Sequence, residues 1–172
     1  MLQRGAGSDA AAWEREFGLA RDVSRLTAEV NALRYSVVPV TVRYEGGPVA
    51  HLLRVLAAGV AAGAPVTVSV ATGLDEETAS LVRATGATYV VEDGAAWATT
   101  LSGSAAPGRV RLLGGTREAF AAASQGRVDI ALYAQPVVEA GRVELLTFLH
   151  EQAVSVTAHR FGSPTPLVDN LF

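Results

Sequence analysis

VTVRYEGGPVAHLLRVLAAGVAAGAPVTVSV (Val40–Val70) contains one full copy of the pattern that decides the fold. Val40–Tyr44 is a β-branched run with strand composition, and Gly46, Gly47 and Pro48 break it. Apolar residues then recur at helical spacing from Val49 to about Ala62, and Pro65–Val70 is a second β-branched run. The unit repeats downstream. Thr72, Gly73 and Asp75 open a helix to about Thr85, stopped by Gly86, and Thr88–Glu92 is the third strand. Asp93 to about Leu101 is a helix, Ser102–Gly108 a loop, and Val110–Leu113 a strand. Thr116 to about Ser124 is a helix and Val128–Tyr133 a last strand. Strands alternating with helices predict an α/β fold: a Rossmann-like parallel sheet of about five strands, with helices on both faces. This domain is assigned to residues 33–150.

Upstream of it, residues 1–8 are small, polar and glycine-rich and are expected to be a disordered lead. Residues 9–32 read as a helical segment. Ser8 or Asp9 caps a helix to about Phe17, Trp13 and Phe17 share a face, Gly18 stops it, and a short helix follows from Asp22 to about Glu29. Leu33–Tyr44 is strand-like, with Pro39 marking an edge, a bend or a break.

Downstream, LLTFLHEQAVSVTAHRFG (Leu145–Gly162) passes from helical to strand periodicity. Val143, Leu146 and Leu149 fall on one helical face, and Val154 and Val156 then alternate with Ser155 and Thr157. Residues 151–172 are therefore read as a β-flap arm and tail, with the 33–38 strand as a candidate second member. Phe148, Val154, Val156 and Phe161 are its candidate apolar contacts, and His159 and Arg160 its polar ones. An unpaired strand leaves donors and acceptors open to a partner.

Acidic and basic residues are interspersed at a net charge of −3, which argues against nucleic-acid binding. No apolar run approaches the roughly 18 residues of a membrane span, and the start lacks the apolar segment of a signal peptide, so a cytoplasmic location is expected. Cysteine is absent, and all 14 basic residues are arginine. The chain thus has no thiolate nucleophile and no lysine for a Walker motif.

The turn EGGPVAHLL fits neither dinucleotide nor Walker spacing. Gly114, Gly115 and Thr116 are the one weak candidate for presenting amides to an anion, against the simpler reading of a tight turn capped by Thr116. HEQAV (His150–Val154) opens like a zinc-protease motif, but Val154 stands in place of the second ligand, so no metal site is assigned. His51, His150 and His159 lack a framed nucleophile, and no catalytic residue is assigned.

Two stretches carry a resemblance. AAGAPVTVSVATG (Ala61–Gly73) is similar to the helix-to-strand element of aldehyde dehydrogenases. LRYSVVPVTVR (Leu33–Arg43) with GRVDIALYAQPVVEAGRVELLTFLHEQAVSVTAHRFG (Gly126–Gly162) resembles the C-terminal region of the long actinobacterial proline utilization A proteins, a match running from about Trp13 onward. Those proteins join a flavin-dependent proline dehydrogenase to an NAD-dependent L-glutamate γ-semialdehyde dehydrogenase. The resemblance implies a non-catalytic domain of the aldehyde-dehydrogenase superfamily that covers the dehydrogenase module of the same polypeptide and helps seal its substrate tunnel. It implies FAD and NAD in the parent enzyme and no cofactor here. Ser69 falls where that superfamily places its ribose-binding lysine, and Thr72 where it places a glutamate. Gly114, Gly115 and Thr116 resemble its nucleotide-binding turn. Two other readings stay open: a nucleotide- or anion-binding domain, and a structural domain that, when isolated, buries the arm in a homodimer.

Overall fold

The computed structural model describes residues 1–26, 28–157, 159–160 and 163–164. Helix α1 (Leu2–Ala12) continues as a π-helical turn at Trp13–Phe17. The expected disordered lead at 1–8 is thus corrected to helix. Gly5 is a packing residue: a Cβ on it would lie 2.3 Å from Arg54 Nε, so α1 sits directly against that side chain. Asp9 pairs with Arg54 through two hydrogen bonds of 2.7 and 2.8 Å, both side chains being buried. The Ser8 hydroxyl accepts from the Gly141 amide.

Among the described residues, the short helix expected from Asp22 does not form. Asp22 accepts the Ser24 and Arg25 amides at 2.9 and 3.0 Å, and Arg25 takes a left-handed φ of 51°. That side-chain turn competes with helix formation. It follows β1 (Arg21–Asp22) and leads to β2 (Glu29–Val37), which ends at Val38–Pro39 before β3 (Val40–Tyr44).

The repeating units then appear in order: α2 (Val49–Ala62), β4 (Val66–Val70), α3 (Glu76–Ala84), β5 (Thr88–Val91), α4 (Gly94–Ser102), β6 (Arg109–Leu113), α5 (Arg117–Ala123) and β7 (Ala131–Tyr133). The five parallel strands run in the order β5-β4-β3-β6-β7. Asp75, Asp93 and Thr116 cap α3, α4 and α5 by accepting the amide three residues on. The last strand is shorter than expected. Gln125 and Gly126 turn the chain at φ 54° and 73°, and Val128 is 98% exposed.

Two apolar clusters lie on opposite faces of this sheet. On one, Val42, Val68 and Val70 pack with Leu52, Val55, Leu56 and Val82 from α2 and α3. On the other, Val110 and Leu112 pack with Trp97, Leu101 and Phe120 from α4 and α5. Each fully buried aliphatic side chain contributes about 1.5–3 kcal/mol to this core.

Helix α6 (Gly141–Glu144) runs into a 3-10 turn, Leu145–Phe148, and then β8 (Leu149–Thr157). The helical face expected from Val143, Leu146 and Leu149 is not the buried one. Val143 and Leu146 are 42% and 44% exposed, whereas Glu144, Leu145 and Phe148 are fully buried. Glu144 turns inward because Arg111, itself buried, donates to it at 3.2 Å and the Val138 amide does so at 3.0 Å. Leu149 and His150 belong to the strand.

Strand β8 pairs antiparallel with β2 over nine positions, from Val37 opposite Leu149 to Glu29 opposite Thr157, and β1 pairs on the far side of β2. The expected two-strand arm is therefore a three-stranded flap ordered β1-β2-β8. Strands β9 (His159–Arg160) and β10 (Ser163–Pro164) form a separate antiparallel pair.

Candidate functional site

In the flap, opposed residues share a face, so Val30, Ala32 and Arg34 lie with Val156, Val154 and Gln152. Polar cross-strand bonds hold the register: Arg34 Nε donates to Gln152 at 2.7 Å, Tyr35 OH to Glu151 at 3.2 Å, and Ser155 to Asn31. The Tyr35 ring meets Phe17 edge-on at 4.8 Å, tying the base of the flap to the N-terminal π-turn. Partial burial and then the charge of Glu151 raise the Tyr35 hydroxyl pKa, so it remains a donor at neutral pH. Among the described strands, none pairs with the outer edge of β8.

Val154 and Val156 are half-buried and His159 is exposed. Arg160 is described through its backbone pairing with Ser163. Phe161 lies outside the described residues. Phe148 is corrected from arm contact to core anchor. It is fully buried, and its ring carbon lies 3.1 Å from where a Cβ on Gly59 would stand.

The second candidate is the crevice where strand order reverses, between the carboxyl ends of β3 and β6, the usual ligand position in open α/β sheets. Here the two turns touch. Gly114 has φ +80°, and a Cβ on it would lie 2.2 Å from the Gly46 carbonyl oxygen. The Glu45 amide donates to Leu113 O at 2.8 Å, and the Glu45 side chain borders Gly115. A hollow of about 410 Å³ remains beside them, lined by Glu45, Gly94, Trp97, Gly114, Gly115 and Thr116. Its carboxylate opposes a phosphate, and the Thr116 hydroxyl is engaged by the Ala119 amide at 3.1 Å.

Ser69 is fully buried. It accepts from Arg43 Nη1 at 2.8 Å and donates to Glu92 Oε2 at 2.6 Å. Thr100 donates to the other Glu92 oxygen at 2.6 Å, and Arg43 also bonds Glu45 and lies 4.9 Å from the Trp97 ring centre. Ser69 is thus part of an internal network with Arg43, Glu92 and Thr100. Sequence reading missed Arg43 and Glu45, although a charged residue between Val42 and Tyr44 in a buried parallel strand signals a required partner.

Across the same sheet face, Thr41, Thr67 and Thr88 stand in register along a hollow of about 500 Å³. Among the described residues, no group of three His, Asp or Glu side chains is placed to hold a metal, and no helix is long and apolar enough to cross a membrane.

No protein-family model matches the chain, and no curated protein does. Solved structures do. The chain is similar to the structure of Proline Utilization A (PutA) from Corynebacterium freiburgense, with 25% identity and a TM-score of 0.61 over 94% of this chain and 14% of that one. It is also similar in fold to a proline utilization A structure with proline bound in remote sites, with 20% identity and a TM-score of 0.57 over 76% of this chain and 15% of that one. The chain therefore spans about one seventh of these proteins, and its fold is that of a PutA-like domain.

Proposed function

We propose that this chain is a non-catalytic domain of a bifunctional proline-catabolic polypeptide. Its flap covers the aldehyde dehydrogenase module, supports that module's active site and seals the passage between the two active sites. The observation that carries the reading is the outer edge of β8, nine residues long and unpaired among the described strands, on a sheet joined to the body at its base. Such an edge takes a partner strand through main-chain hydrogen bonds, while alternate side chains set specificity. Similarity to the Corynebacterium structure over 94% of this chain and 14% of that one supports a partner within the same, longer polypeptide.

Aldehyde oxidation of the superfamily's kind begins with a cysteine thiolate attacking the carbonyl, and this chain has no cysteine. FAD and NAD belong to the other modules in this reading. Calorimetry of the chain with millimolar NAD is expected to give no heat.

The deciding experiment removes residues 149–172 from the full polypeptide and follows conversion of proline to glutamate. The expected result is a longer lag before glutamate appears and a weaker aldehyde dehydrogenase. Unchanged coupled turnover refutes the covering role. The same edge is open to a second copy when the chain is alone, so sedimentation at several concentrations is expected to show a dimer competing with the module.

A further inference from the structure

Each strand that joins the flap to the body needs its backbone groups satisfied where it leaves the core. The last carbonyls of a 3-10 turn have no donors within the turn and must find them elsewhere. Phe148 O is taken by the Val38 amide at 3.0 Å, which joins the two crossing points of the flap. The carbonyls on either side of Phe148 are taken by one side chain. Arg109 Nη1 donates to Thr147 O at 3.0 Å and to Leu149 O at 2.7 Å, with Leu146 O at 3.4 Å. Its two hydrogens suit the two shorter bonds.

Arg109 is the first residue of β6, and its guanidinium lies 5.3 Å from the centre of the Tyr133 ring on the adjacent strand β7. The donor is thus fixed to the parallel sheet at its stem and braced on a ring at its head. Its acceptors straddle the residue at which the turn becomes the flap strand. A planar guanidinium keeps this geometry, whereas an ammonium on a flexible stem supplies donors without the bracing.

We propose that Arg109 is a positioning residue that sets the angle of the flap relative to the parallel sheet. The role in docking rests on the covering function proposed above; the geometric role does not.

The chain has no cysteine, so two can be introduced at exposed positions, Ser80→Cys on α3 and Thr157→Cys at the far end of β8, and spin-labelled without background. Pulsed electron paramagnetic resonance on the full chain reads the distance between them. With Arg109 present, one narrow distribution is expected. Arg109→Met, which keeps the stem, is expected to broaden it roughly twofold, and Arg109→Lys to recover part of the order, with amide exchange in β3 and β4 unchanged. An unchanged distribution in Arg109→Met overturns the proposal, as does Arg109→Lys behaving like Arg109→Met. If Arg109→Met fails to fold, Arg109→Lys and Tyr133→Leu decide: broadening in both supports the role, and in neither overturns it. In the full polypeptide, a broadened flap with unchanged proline-to-glutamate conversion refutes the covering function and leaves the positioning role standing.

Discussion

In the five-stranded sheet Val42, Val68 and Val110 are fully buried, while in the flap Val154 and Val156, at the same period-two spacing, remain half-exposed. The parallel sheet derives its stability from side chains removed from water on both faces. The flap derives its own from nine paired positions, a set of polar cross-strand bonds and a few contacts at its base. One sheet is a finished interior, and the other is a surface whose outer edge is unpaired among the described strands. Substitutions should therefore be costly in the first region and nearly silent in the second, unless a partner is present.

The largest expected effect lies where the N-terminal helix meets the body. Arg54→Met strips the partner from buried Asp9 and should destabilise the chain by about 4 kcal/mol, within the range for breaking a buried pair. Urea unfolding checks it, and a loss under about 1 kcal/mol would mean that α1 is held by something other than this pair. Phe148→Ala should cost about 3 kcal/mol by opening a cavity beside Gly59, which would confirm that this residue serves the interior and not the arm. Gly114→Ala should cost about 2 kcal/mol, since the residue must keep a positive φ and push away the Gly46 backbone.

A smaller, pH-dependent effect involves Glu139. The Arg4 guanidinium, donating two hydrogen bonds of 2.7 and 2.8 Å, lowers its carboxyl from 4.5 to about 2. With the folded value below the unfolded one, the stabilisation is complete above about pH 4.5 and disappears as the pH falls through about 2. Glu139→Gln should flatten the acid limb of a stability-against-pH curve, and an unchanged slope would show the pair to be idle. The smallest effect is expected in the flap. Val154→Thr and Val156→Thr should each shift stability of the isolated chain by under about 0.5 kcal/mol. A loss like that of Phe148→Ala would erase the distinction between the two sheets.

Legibility in the sequence followed the same division. Val40–Tyr44, Val49–Ala62 and Val66–Val70 carry their own periodicity and turn residues, so the parallel sheet could be read from local pattern. The flap strand announced itself through Val154 and Val156, but its partner begins at Glu29, inside a stretch with helix-like composition whose fate is settled by the Asp22 side-chain turn. Gly5 and Gly7 suggest looseness in a sequence, and only the approach of Arg54, 49 positions away, shows Gly5 to be a contact. Glu144 and Arg111 were hidden for the same reason: a charge is read as exposed until its distant partner is known. In the crevice, Gly114, Gly115 and Thr116 were visible as a turn, but its contact with Gly46 depends on sheet order, which no local pattern encodes.

The Phe148 anchor gives the flap a mechanical character. Nine strand residues rising about 3.3 Å each place the tip roughly 30 Å from the anchor, so a rotation of about 10° at the base sweeps the tip through about 5 Å. That is close to the spacing between neighbouring strands, about 4.8 Å. A small tilt at the base would thus carry the tip about a whole strand-width. The position of the tip is therefore decided at the short end of the lever, by the fit of the Phe148 ring beside Gly59 and by the hold of Arg109 on the carbonyls around it.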